Sequence, residues 1–190
     1  MNTDFFEGIT FESNDYTKIP VPKGDYENCM FKKCDFSGSD LSEIRFEDCE
    51  FLTCNLSMAA VANCAFRNVT FRNCKMLGIN FEECSQFGLS FRFEECNLSH
   101  ASFFGGKFRN TMFIKSRLHE VIFTESDLVN SVFDECDLSR AVFDQTHLEG
   151  SDFRTSFNFA INPNQNRMKR SRFSLTGAAS LLESFDIKID

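Results

Sequence analysis

Large apolar residues recur at every fifth position along most of this chain of 190 residues. One stretch reads Phe123, Leu128, Phe133, Leu138, Phe143, Leu148. An α-helix advances about 100° per residue, so a period of five drifts by roughly 140° each time and gathers no face. A long flat strand fails too, because an odd period puts successive apolar residues on opposite faces. The chain must therefore turn within every five residues, as a short strand piece followed by a corner. We term the large residue the centre. The residue two before it points the same way and must be small. In this stretch those residues are Val121, Ser126, Ser131, Cys136, Ala141 and Thr146.

The series runs back through Leu118, Phe113, Phe108, Phe103 and Leu98 to Phe93, and forward to Phe153. Upstream it returns in another phase, from Tyr26 through Phe31, Phe36, Leu41, Phe46, Phe51, Leu56, Val61, Phe66, Phe71 and Met76 to Phe81. The step from Phe81 to Phe93 exceeds two repeats by two residues, so 85–91 reads as an insertion bulging from the wall. Phe6, Phe11, Tyr16 and Val21 keep the first phase, but Pro20 and Pro22 argue against an interior strand. Residues 1–25 are therefore expected to form an N-terminal cap or irregular first coil.

Five-residue pieces must close into coils, and a four-sided coil stacks residues twenty apart. Allowing for the insertion, one column is then Phe31, Phe51, Phe71, Phe93, Phe113, Phe133, Phe153. The next is Phe36, Leu56, Met76, Leu98, Leu118, Leu138. This purity favours four sides over three. The expected fold is all-β: a right-handed, four-sided parallel β-helix over 26–153, with a Phe ladder in its axis. With strands about 4.8 Å apart, roughly six coils give a rod on the order of 30 Å long.

Of the cysteines 29, 34, 49, 54, 64, 74, 84, 96 and 136, all but Cys84, which stands at the insertion, fall two before a centre. C-x4-C spacing at Cys29/Cys34 and Cys49/Cys54 invites a metal reading. The register favours packing, because buried Cys behaves as a small hydrophobe. They are expected to be reduced, since "MNTDFFEGIT" lacks the basic start and apolar run of a signal peptide. A cytoplasmic location follows as an expectation, and no stretch approaches a membrane span. His100, His119 and His147 take outward positions on different repeats and read as solvated. No dinucleotide fingerprint, P-loop or nucleophile elbow is present. The interior is filled by side chains. The expectation is a protein that is no enzyme and takes no cofactor and no metal.

The net charge of −8 is uneven. Residues 51–81 carry no acid and three bases, Arg67, Arg72 and Lys75. Residues 116–153 carry Glu120, Glu125, Asp127, Asp134, Glu135, Asp137, Asp144, Glu149 and Asp152, opposed only by Arg117 and Arg140, a net of −7. Over two coils that is about 0.7 negative charge per Å, near the roughly 0.6 per Å of duplex DNA. Asp127, Asp137 and Asp152 sit one before a centre, where a carboxylate can bond to turn backbone. The other acids need only solubility to explain them, and they spread over all four sides. Such a surface argues against nucleic acid as a direct ligand.

After Phe153 the period stops. "NPNQNRMKRSR" is a polar, basic connector, and "SLTGAASLLESF" (174–185) sets Leu175, Ala178, Ala179, Leu181, Leu182 and Phe185 on one helical stripe. Gly177 in its first turn weakens that helix. "DIKID" follows with strand alternation. Residues 154–190 are thus expected to hold a connector, a helix and a short strand that cover the open coil edge. A symmetric dimer through Leu175, Ala178, Leu181, Leu182 and Phe185 is favoured over a simple lid.

"CDFSG", "CNLSM" and "CDLSR" resemble the pentapeptide-repeat family over 26–153. "CKMLGINF", "FFGGKF", "FTESDL", "INPNQNRMKRSRFSL" and "AASLLESFDI" resemble the albicidin-resistance and microcin-immunity proteins, relatives of the quinolone-resistance proteins of bacteria. That similarity implies a dimeric rod, joined through C-terminal helices, which imitates DNA, binds DNA gyrase or topoisomerase IV and protects it from topoisomerase poisons. The long loops of some quinolone-resistance proteins are absent, and only the small bulge near 85–91 remains. The runner-up is a pentapeptide-repeat scaffold for another protein partner.

Overall fold

The computed structural model describes residues 4–182. The chain winds as a right-handed, four-sided parallel β-helix with one short helix at its C-terminal end. One side is a sheet running from Thr10–Glu12 through Met30–Lys32, Glu50–Leu52, Val69–Arg72, Phe91–Glu94 and Met112–Ile114 to Val132–Asp134. The preceding side pairs Asp4–Glu7, Gly24–Glu27, Arg45–Glu47 and Ala65–Arg67. The other two sides are held by single parallel bridges, such as Asp35 to Asn55 and Asp40 to Ala60. Every pairing is one coil apart: Phe31 lies beside Phe51, and Phe113 beside Phe133.

The period of five comes from the backbone at the corners. The residue two after a centre has positive φ, as at Lys33 (54°), Met58 (58°), Lys115 (49°) and Arg140 (60°). This left-handed conformation is costly for non-glycine residues. It persists because the ladders on either side fix both ends of the turn: the Lys33 N–H donates to the Leu52 carbonyl at 2.9 Å. At many corners the residue before the centre closes the turn. Asp35 Oδ1 accepts from the Ser37 N–H at 2.9 Å and its hydroxyl at 2.7 Å, and Asn97 holds Ser99 the same way. Short polar side chains suit this bond.

Inside, Phe31, Phe51, Phe71, Phe93, Phe113, Phe133 and Phe153 are fully buried. Successive rings stack with centroids 4.6–5.4 Å apart. A second column, Phe81, Phe103, Phe123 and Phe143, meets the first edge to face, as for Phe113 and Phe123 at 5.9 Å and 77°. Both arrangements suit the ring quadrupole, at about 0.5–1.5 kcal/mol per pair beyond burial. All nine cysteines are buried free thiols that fill the small positions. Several donate to a carbonyl of the neighbouring coil, as Cys54 Sγ does to Phe31 O at 3.3 Å.

The ladder extends beyond residues 26–153 at both ends. Phe6 stacks on Tyr26 at 4.5 Å, Phe11 on Phe31 at 4.9 Å and Tyr16 on Phe36 at 4.7 Å, so the residues from Asp4 onward form a paired first coil. Pro20 and Pro22 are accommodated in a stretch without strand pairing. At the other end Phe173 stacks on Phe153 at 5.2 Å, and bridges join His147 to Arg167 and Asp152 to Arg172. The basic connector is therefore the wall of one more coil.

The insertion follows a 3-10 turn at Phe81–Glu83. Gly88 turns with φ +71°, and Phe87 projects outward, 78% exposed, beneath the Arg67 guanidinium. Phe91, which is no centre, swings inward instead. Its ring sits between Phe66 and Phe108, at 5.5 and 6.3 Å, where the column would otherwise lack an occupant.

Candidate functional site

The nine acids of 116–153 divide by what holds them. Asp137 Oδ1 accepts from the Ser139 N–H at 3.1 Å and from Asn158 at 2.9 Å. Partial burial of that carboxyl is outweighed by these bonds, which keep its pKa below the ordinary value. Asp152 is gripped by Arg154 at 2.7 Å, which lowers its pKa, and Arg172 stands 3.5 Å away. Asp127 pairs with Arg109 at 2.6 Å and accepts from the Val129 N–H at 3.3 Å. Glu120 pairs with Arg140 at 2.9 Å. These four serve corners and ion pairs.

The other five have no cation partner among the described residues. Asp134 accepts from the Thr155 hydroxyl at 2.7 Å, while the carboxylates of Glu125, Glu135, Asp144 and Glu149 make no hydrogen bond among the described residues. They do not converge. Asp134 and Glu135 follow Phe133 on one side of the square. Glu125 and Asp144 follow Phe123 and Phe143 on the opposite side, where the Glu125 N–H donates to the Asp144 carbonyl at 2.8 Å. Glu149 follows Leu148 on the side between. The acids thus gird the shaft.

The charge reverses immediately below. The last coil carries Arg154, Arg167, Lys169, Arg170 and Arg172, and no acid lies between residues 153 and 182. The basic character of this stretch is legible in the sequence, but its place as a coil wall directly beneath the acids comes from the bridges to Arg167 and Arg172.

At the C-terminal end the helix is Leu175–Ser180, shorter than the stripe over 174–185. The Ser174 hydroxyl caps it, accepting from the Gly177 N–H at 3.0 Å. Gly177 is needed for close approach: a Cβ there would stand 2.9 Å from the Phe159 ring. A cavity of about 440 Å³ lies between the helix and Phe157, Asn158 and Phe159. Leu181 packs toward the core, whereas Leu175 is 92% exposed and Leu182 is exposed. Ala178 is half-buried, and Phe185 lies outside the described residues.

One grouping escaped the sequence reading. His100 Nδ1 is 3.2 Å from Glu120 Oε2, and His119 Nε2 is 3.8 Å from Glu120 Oε1. Their separations of 19 and 20 residues are the signal, since one coil brings such positions side by side. Among the described residues, no helix is long and apolar enough to cross a membrane.

A family profile described as the pentapeptide repeat region matches residues 25–103, and one described as pentapeptide repeats (8 copies) matches 92–128 and 116–154. No curated protein matches the sequence. The fold is similar to two trypsin-treated forms of QnrB1, a plasmid-mediated fluoroquinolone resistance protein. One has 19% identity and a TM-score of 0.61 over 98% of this chain and 92% of that one. The other has 20% identity and a TM-score of 0.58 over 99% and 98%. HetL, involved in heterocyst differentiation regulation in Nostoc sp. strain PCC 7120, aligns at 10% identity with a TM-score of 0.41 over 91% of this chain and 85% of that one. The two profiles together span residues 25–154, and the chain belongs to the pentapeptide-repeat family.

Proposed function

We propose that this protein is a DNA mimic that binds a type II topoisomerase, DNA gyrase or topoisomerase IV, and protects it from poisons or inhibits it. The observation that carries the reading is the girdle of Glu125, Asp134, Glu135, Asp144 and Glu149, carboxylates without a cation partner among the described residues on a slim rod. Its local charge per length is near that of duplex DNA. Likeness in fold to QnrB1, a fluoroquinolone resistance protein, supports it. A homodimer through the C-terminal end belongs to the same reading, with Leu175 and Leu182 as its exposed apolar contacts.

The test is a gyrase supercoiling and cleavage assay with the purified chain. The protein should alter supercoiling or relieve poison-induced cleavage. Glu125→Gln, Asp134→Asn, Glu135→Gln and Asp144→Asn combined should weaken binding and flatten its salt dependence while the circular dichroism spectrum stays unchanged. If the folded protein leaves both gyrase activities unaffected, the reading is wrong.

A second reading, a scaffold for a different protein partner, is favoured by the basic last coil. In a dimer joined at that end, two such coils would interrupt the negative shaft at its middle. A folded chain that leaves gyrase supercoiling and poison-induced cleavage unaffected would favour this scaffold reading over the first.

A further inference from the structure

We propose that His100, His119 and Glu120 form a binding site for a divalent transition-metal ion of the zinc class, independent of the topoisomerase reading. His100 and Glu120 occupy equivalent corners of successive coils, with φ of +62° and +56°. The His100 N–H donates to the His119 carbonyl at 2.9 Å, which fixes the two residues side by side. The imidazole planes stand at 88° with centroids 5.9 Å apart, and each faces a different oxygen of Glu120. One ligand atom from each of the three residues can be chosen so that all lie within 4.8 Å of one another.

A tetrahedral ion with bonds of about 2.0–2.2 Å needs its donors roughly 3.3 Å apart. The contact between His100 and Glu120 is already that short, and the remaining donor closes by rotation of the half-buried His119 side chain. Two imidazoles with one carboxylate are a borderline donor set that suits Zn²⁺, Ni²⁺ or Cu²⁺ over Mg²⁺ or Ca²⁺. A fourth position stays open to water. Arg140, 2.9 Å from Glu120 Oε1, competes with the ion for that oxygen. The bound ion would tie two coils together and neutralise Glu120.

The experiment is calorimetric titration of the full chain with Zn²⁺, after chelator treatment and with reduced thiols. One ion should bind per chain. His100→Ala and His119→Ala should each weaken binding by about tenfold or more, because losing a ligand costs at least as much as losing an outer partner. Arg140→Ala should tighten it severalfold; unchanged affinity there would remove Glu120 from the site and overturn the three-residue assignment. Co²⁺ should give the weak visible bands of nitrogen and oxygen donors. Absence of binding at millimolar Zn²⁺, unaltered binding in the double histidine variant, or a thiolate charge-transfer band would each overturn the site.

Discussion

The ring of Phe91 stands 5.5 Å from that of Phe66 and supplies the column member that the twenty-residue spacing lacks at the insertion. It is 4% exposed, whereas Phe87, four residues earlier, is 78% exposed. Phe91→Ala should therefore cost about 3–5 kcal/mol, as Phe113→Ala should, through lost burial and a cavity that stacked coils cannot collapse. Phe87→Ala should cost under about 1 kcal/mol, its contact being an exposed one with Arg67. Urea denaturation of the variants decides it; equal, small losses would mean that Phe91 does not plug the column.

Asp137 and Glu135 are two residues apart and do different work. The first closes a corner through Ser139, and the carboxylate of the second makes no hydrogen bond among the described residues. Asp137→Ala should lose about 1 kcal/mol, the net worth of a typical hydrogen bond. Glu135→Gln should be neutral in the same melt. The opposite order would assign Asp137 to the partner surface and Glu135 to the fold.

Burial pushes the Cys49 and Cys136 thiols up to about 12. The folded state therefore keeps protons that the unfolded chain gives up near the ordinary value of 9.0. This contribution is fully present below pH 9 and is lost as pH rises toward 12. Urea midpoints should fall across that window, and the slope should shrink in Cys49→Ser. A disulfide-exchange reagent at pH 8 should label the native protein no faster than it unfolds; rapid labelling would contradict the buried ladder.

Leu175 projects from the terminal helix with almost its whole surface in solvent. Leu175→Glu combined with Leu182→Glu should leave the β spectrum intact and convert a dimer to monomer by light scattering. A parent chain that is already monomeric at the same concentration would remove this face as an interface.

The interior was the most legible part of the sequence, because one rule governs it: a large residue every fifth position and a small one two before. That rule found the Phe ladder and the places of the cysteines. It failed where side chains depart from it. Residues 157–172 put Phe157, Arg167 and Arg172 at bridging places with an unbridged turn between them, so the last coil hid behind polar residues. Phe91 stands at a position where the rule asks for a small residue, and only the missing centre beside it explains its bulk. The outer surface was legible one residue at a time. Reading His100, His119 and Glu120 as separate followed from looking along the chain instead of across coils.

Parallel register one coil apart makes the shaft a gauge. Excising 114–133 would join Phe113 to Asp134 and shorten the molecule by a single tier, about 4.8 Å, without rotating anything beneath. Excising only 114–118 would swing everything downstream by a quarter turn. A partner that reads distance along the axis would sense the first deletion, and one that reads a particular flank would sense the second.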